Sequence, residues 1–106
     1  MVQTVRRDAL IDAVELLKAL AAEVRLAVVV ELGIAPRCVR ELQAALRAHD
    51  REVSQPLLSQ HLKILRDAGL VITTRVGTEI TYQLADDRIG HLVDDAMHHA
   101  LREEER

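Results

Sequence analysis

Ser54-Gln55-Pro56-Leu57-Leu58-Ser59-Gln60-His61-Leu62-Lys63-Ile64-Leu65-Arg66-Asp67-Ala68-Gly69 is the stretch that decides the fold. At the helical period, Leu58, Leu62 and Leu65 share one face, while Pro56, Gln60 and Lys63 lie opposite. Ser59 and Arg66 flank the polar side, and His61 sits nearer the apolar edge. Ser54 is placed to cap the helix, Pro56 falls in the first turn where its missing N–H is harmless, and Gly69 stops it. The predicted helix spans 55–68. Its outer face carries amides, hydroxyls and two cations, and no carboxylate before Asp67. Such a face suits a helix lying in a DNA major groove, where Ser and Gln can bond base edges and Lys and Arg can reach phosphates. A solvated amphipathic helix would show the same periodicity, so the next segment decides between them.

That segment, residues 70–84, reads Leu70-Val71-Ile72-Thr73-Thr74-Arg75-Val76, Gly77-Thr78 and Glu79-Ile80-Thr81-Tyr82-Gln83-Leu84. Two runs rich in β-branched residues joined by a glycine turn predict a hairpin. A helix, a sharp glycine stop and a hairpin in succession make the recognition helix and wing of a winged helix-turn-helix. The expected base or near-base contacts are Ser54, Gln55, Ser59, Gln60 and His61, with Pro56 at the helix entry. Lys63, Arg66 and Arg75 are the expected phosphate contacts, and Thr78 shares the wing tip with Arg75.

With 106 residues the chain has the length of one domain, 1–106, and a single aromatic, Tyr82, so its core must be aliphatic. Charges interrupt every apolar run and no signal peptide is evident, which predicts a cytoplasmic protein with no membrane partner. The lone cysteine, Cys38, fits a reducing compartment. Its neighbours Arg37 and Arg40 could make it a reactive thiol, against the commoner case of a buried structural cysteine. A formal net charge of −3 argues against a nucleic-acid binder until its distribution is read. Residues 35–84 carry seven Lys/Arg against five Asp/Glu, whereas residues 85–106 carry three against seven. A basic middle and an acidic tail suit a chain that meets double-stranded DNA with its centre.

In chain order, residues 1–7 read as a frayed end. A first helix, 8–22, has the stripe Leu10, Ala13/Val14, Leu17 and Leu20/Ala21. The second, 24–33, is apolar almost all round and should be the most buried. The third, 38–49, points Val39, Leu42, Ala45 and Leu46 inward, with Arg40, Gln43 and Arg47 outward. A polar connector, 48–53, is longer than the usual turn of this motif. The last helix, 87–104, carries Ile89, Val93, Ala96 and Ala100 on one stripe, with an acidic cluster, Glu103–Glu105, at its end. So small a domain cannot bury all of it, so a homodimer through the first and last helices is expected, with Leu10, Leu17, Ile89, Val93, Ala96 and Ala100 at the interface. A twofold dimer matches an inverted-repeat site. The fold class is therefore mainly α with a β-hairpin (α+β), in the order α-α-α-α-β-β-α.

That order meets specific residues: Leu16–Ala21 through Arg25-Leu26, Cys38-Val39-Arg40-Glu41-Leu42, Ser59-Gln60-His61-Leu62-Lys63-Ile64-Leu65-Arg66 with Gly69-Leu70-Val71, and Tyr82-Gln83-Leu84-Ala85-Asp86. Over about residues 10–102 they resemble the ArsR/SmtB family of prokaryotic metal-responsive transcriptional regulators. The Ala- and Arg-rich composition looks actinobacterial, and within that setting the chain resembles a nickel-linked regulator of the family. The resemblance implies a winged-helix homodimer and a metal site between the C-terminal helices. Of its four ligand positions, Asp86 and His99 match, but Arg88 and Arg102 occupy the others, and a guanidinium has no lone pair for a metal. At the family's Cys-x-Cys site Cys38 matches and Arg40 does not.

The last helix still carries His91, Asp95 and His98 on one ridge. With Asp86 and His99 they form a candidate nitrogen/oxygen set for Ni(II) or Zn(II). A solvated ridge whose His and Asp pairs merely stabilise the helix is the competing account. Arg88 and Arg102 could instead pair with Asp86, Asp87 or Glu103 across the dimer, leaving no metal switch and placing regulation in a partner protein. A winged helix can also serve purely as a protein-docking unit. An enzyme finds no support: there is no phosphate loop, no Cys-x-x-Cys, no His-Glu-x-x-His and no nucleophile with a base.

Overall fold

The computed structural model describes residues 2–104, with side chains for residues 8–102. Its elements are α1 (Val2–Leu20), α2 (Glu23–Ile34), β1 (Arg37–Cys38), α3 (Val39–Ala48), α4 (Gln55–Asp67), β2 (Val71–Val76), β3 (Glu79–Leu84) and α5 (Asp87–Glu104). The winged helix-turn-helix and the helix–hairpin succession are as the sequence predicts. The first helix differs at both ends. It is helical from Val2, where a frayed end was expected, and stops at Leu20. Ala22, expected inside that helix, has extended backbone (φ −152°, ψ 138°) and begins α2. Residues 1, 105 and 106, with the end of the acidic cluster, lie outside the described residues.

A second correction concerns Cys38. It does not open the third helix but ends a two-residue strand that the sequence reading missed, because two residues leave no periodicity to detect. Arg37 pairs with Tyr82 and Cys38 with Thr81, giving an antiparallel sheet in the order β1-β3-β2. The Glu41 carboxylate accepts the Cys38 N–H at 2.9 Å, which places Cys38 at the N-cap of α3 and holds the Glu41 pKa below its ordinary value. The thiol is buried, which removes the exposure a redox switch needs.

The core is aliphatic throughout. Val28, Val29 and Leu32 of α2, Leu42 and Leu46 of α3, Leu58, Leu62 and Leu65 of α4, and Leu70 and Val71 leading into the wing are all buried. Two expected interface residues belong here as well. Ile89 and Val93 are 8% and 2% exposed, because this edge of α5 packs on α2 within the protomer. By contrast, Leu10 and Leu17 of α1 are 67% and 53% exposed, and Ile11, Val14, Leu92, Met97 and Leu101 are also open. The radius of gyration, 15.1 Å, exceeds the roughly 13 Å of a compact chain this long. The first helix is an arm with an uncovered apolar stripe.

Both helices of the helix-turn-helix end in the same way. At α4, Gly69 (φ 76°) sends its N–H to the Arg66 carbonyl and Leu70 sends its N–H to that of Leu65, the paired bonds of a Schellman motif. At α3, Asp50 takes the glycine position at φ 62°, with Asp50 N–H to the Arg47 carbonyl and Arg51 N–H to that of Leu46. The long connector is thus an ordered turn. Val53 plugs it into the core, and Gln43, expected to point outward, donates to the Val53 carbonyl at 3.0 Å. A Cβ at Gly69 would meet nothing within 4 Å, so Gly69→Ala should lose about 1 kcal/mol of stability through backbone strain alone. Asp50→Gly removes the same kind of strain, and denaturant titration should find it no less stable than the parent.

Candidate nucleic-acid interface

The outer face of α4 is assembled by what lies behind it. With Leu58, Leu62 and Leu65 fully buried, the helix turns Gln55, Pro56, Ser59, Gln60, Lys63 and Arg66 outward, and all six are exposed. Ser54 caps the helix by accepting the Leu57 N–H at 3.3 Å, and Pro56 lies in the first turn. Leu57, which the sequence reading passed over, is 44% exposed beside these polar groups. An apolar side chain there can meet a thymine methyl.

The wing completes the face. β2 and β3 pair in register from Val71–Leu84 to Val76–Glu79, leaving Gly77 and Thr78 as the turn, with Gly77 at φ 64°. Arg75 and Thr78 are exposed at this tip. Between helix and wing a groove is lined by Ser59, Lys63, Arg66, Asp67 and Tyr82. Tyr82, the sole aromatic, was not singled out as a site residue. Its place on the middle strand, opposite Thr73, sets it beside α4. The Arg40 guanidinium bonds Glu79 at 2.9 Å, an exposed link from the start of α3 to the wing.

Two predicted contacts are occupied differently. The Lys63 Nζ lies 2.8 Å from Asp67 Oδ2, so the expected phosphate contact is already paired within the helix. His61 is turned inward and receives a hydrogen bond from Arg25 Nη1 at its Nδ1, 3.0 Å away. Because a guanidinium only donates, Nδ1 is the acceptor and the proton sits on Nε2 of a neutral ring. Burial, and then the Arg25 charge, hold the His61 pKa below its ordinary value. His61 is thus tied through Nδ1 to the helix behind it. No periodicity could reveal this, since Arg25 lies 36 residues away.

The proposed metal ligands do not gather. Asp86 Oδ1 accepts the Arg88 N–H at 2.7 Å and caps α5, while the Arg88 side chain lies 3.7 Å from the same oxygen. His98 Nδ1 bonds the Asp94 carbonyl at 2.8 Å. Among the described residues no three His, Cys, Asp or Glu side chains are placed to hold a metal ion. Within one chain, then, Asp86, His91, Asp95, His98 and His99 are not brought together into a ligand set.

An outward polar helix backed by leucines, a helix crossing behind it and a two-stranded wing define a winged helix-turn-helix of the DNA-binding class. Residues 22–73 match the family model described as bacterial regulatory protein, arsR family. The HTH-type transcriptional repressor SmtB of Mycobacterium tuberculosis is 52% identical over 94 residues, 89% of this chain and 66% of that protein. The transcriptional repressor BigR from Xylella fastidiosa superposes with a TM-score of 0.73 at 32% identity, covering 90% of this chain and 92% of that one. A homodimeric winged helix-turn-helix DNA-binding domain from Mycobacterium bovis gives 0.75 at 25% identity, covering 94% and 86%. The chain belongs to the arsR family of bacterial regulatory proteins. It spans 66% of the length of the SmtB relatives. The family is one of regulators, in keeping with the absence of enzyme motifs in the sequence.

Since Lys63 is paired with Asp67, removing the carboxylate should free it. Asp67→Asn should tighten binding to duplex DNA about two- to fivefold, the range of an exposed ion pair, as read by fluorescence anisotropy at low salt.

Proposed function

We propose that this chain is a sequence-specific transcriptional repressor that binds an inverted-repeat operator as a homodimer. The observation that carries the reading is the α4 face from Ser54 to Arg66, exposed and without a carboxylate, held at a fixed angle by three fully buried leucines. In this mechanism α4 lies in the major groove, with Ser59 and Gln60 bonding base edges near Gln55 and Leu57. Lys63 and Arg66 neutralise phosphates along the groove, and Arg75 and Thr78 of the wing reach the flanking backbone or minor groove. The twofold partner presents the same face to the second half-site.

The dimer surface we assign is the uncovered apolar stripe of α1 (Leu10, Ile11, Val14, Leu17) together with the outer edge of α5 (Leu92, Met97, Leu101), with Ala96 and Ala100 beside it. Ile89 and Val93 are left out because they serve the protomer's own core. Charged residues on this stripe should split the dimer: Leu17→Glu together with Leu101→Glu should give a monomer in sedimentation.

A nickel or zinc response is the finer question. His91, Asp95, His98 and His99 remain the candidate nitrogen/oxygen donors, and a second copy would have to bring them together. Two family ligand positions hold Arg88 and Arg102, whose guanidiniums have no lone pair to offer a metal. The second reading is a DNA-binding subunit whose signal arrives through a partner protein.

Anisotropy of a labelled promoter duplex, with and without nickel and zinc at two salt concentrations, tests these readings together. Specific binding that weakens steeply with salt is expected, and Ser59, Gln60 and Lys63 changed together to Ala should abolish it while leaving the dimer intact. A change in affinity of about tenfold or more with metal would assign the switch to this chain. Indifference to metal would place the sensor in a partner. Binding no stronger than to random duplex would replace the operator reading with a protein-docking role.

A further inference from the structure

Arg25 carries the inference. It lies on α2, and its side chain bonds in two directions. Nε donates to the Ala19 carbonyl in the last turn of α1, and Nη1 donates to His61 Nδ1 in the middle of α4. The Ala19 carbonyl is one of the C-terminal helix carbonyls that have no partner within their own helix, and it lies at the negative end of the helix dipole. A cation suits that place on both counts. One planar guanidinium with a fixed fork of donors thus joins three helices at a single point.

The position of His61 in α4 gives this point its leverage. It stands between Gln60, which is exposed, and Leu62, which is fully buried. The leucine seam keeps α4 in the core and sets which face it buries, and small rolls about the helix axis that keep the leucines buried are left for directional bonds to restrain. A hydrogen bond to one edge of the helix is directional. Side-chain atoms lie about 5–6 Å from a helix axis, so a roll of about 15° moves a reading group about 1.4 Å. Such a shift is enough to break a hydrogen bond to a base edge.

We propose that Arg25 is a positioning residue for DNA binding: anchored on the Ala19 carbonyl and donating to His61 Nδ1, it fixes the roll of the recognition helix without touching DNA. The inference rests on the DNA-binding reading above. It also gives His61 a definite state. The charged group bonded to it is Arg25 of α2, which is itself anchored on a backbone carbonyl of α1. A proton added to Nδ1 would displace the Arg25 donor and place two cations together. The folded protein therefore takes up this proton less readily than the unfolded chain does. The stability it contributes is complete above the ordinary histidine pKa of 6.5, and the link is lost as the pH falls through the lowered pKa of the folded protein.

The test uses the full chain and a fluorescent duplex selected by the wild-type protein from random-sequence DNA. Arg25→Gln should weaken binding to that duplex about tenfold, the size expected for one hydrogen bond from a charged donor. The slope of log affinity against log salt should stay as in the wild type, because no phosphate contact is lost. In nitrogen-15 spectra, the same variant should move the His61 titration up toward the ordinary value. Arg25→Lys keeps the charge but offers one nitrogen where the link uses two, Nε and Nη1, and it should bind as weakly as Arg25→Gln. Affinity within about twofold of wild type for Arg25→Gln, full rescue by Lys, or a salt slope reduced by about one would each overturn the proposal. Should Arg25→Gln fail to fold, the wild-type spectrum decides: the proton must sit on Nε2 near neutral pH, and a protonated Nδ1 would sink the idea. A wild type that selects no duplex would remove the DNA-binding reading, and this proposal with it, a result distinct from a variant that binds normally.

Discussion

Burial of Leu58, Leu62 and Leu65 along one side of α4 is the constraint on which the remaining structure depends. Each fully buried leucine contributes about 1.5–3 kcal/mol relative to exposure, whereas an exposed pair such as Lys63–Asp67 contributes about 0.2–1 kcal/mol. The seam therefore decides which face of the helix meets solvent, and the polar groups on that face are free to be chosen for recognition. In a chain with one aromatic residue, this seam is complemented mainly by aliphatic side chains, which α2, α3 and the start of the wing supply.

Directional interactions then refine what apolar packing leaves loose. Schellman motifs close α3 and α4, so the connector and the entry to the wing are each set by two backbone hydrogen bonds. Gln43 holds the Val53 carbonyl, Glu41 holds the start of α3, and Arg25 spans three helices. Buried Glu31 acts similarly: its carboxylate lies 3.7 Å from Arg37 and 3.5 Å from His49, so α2 grips the residues on either side of α3. Each of these positions a backbone or a ring; none adds a group to the reading face.

Polarity is divided along the chain in a way that matches its architecture. Cations outnumber carboxylates between residues 35 and 84, and carboxylates outnumber cations from residue 85 onward, chiefly on α5. On α1 and α5 the apolar side chains that the protomer leaves open exceed what its own small core can cover. This excess is the physical basis for assigning them to a second copy.

Much of the fold was legible in the sequence, because periodicity and turn chemistry are local signals. The stripe of α4, its Ser54 cap, the Gly69 stop and the Gly77-Thr78 turn can each be read from a few consecutive residues. Ser59, Gln60, Lys63 and Arg66 followed from the same periodicity as outward groups. The sequence could not show which apolar stripes close within one protomer. Ile89 and Val93 have the same periodicity as a dimer seam, and only their packing on α2 makes them core. Nor could it show that Cys38 pairs with Thr81 or that His61 answers to Arg25. Local hydrogen-bonding and apolar patterns are written in neighbouring residues. Partnership across 36 residues is settled by how the helices pack.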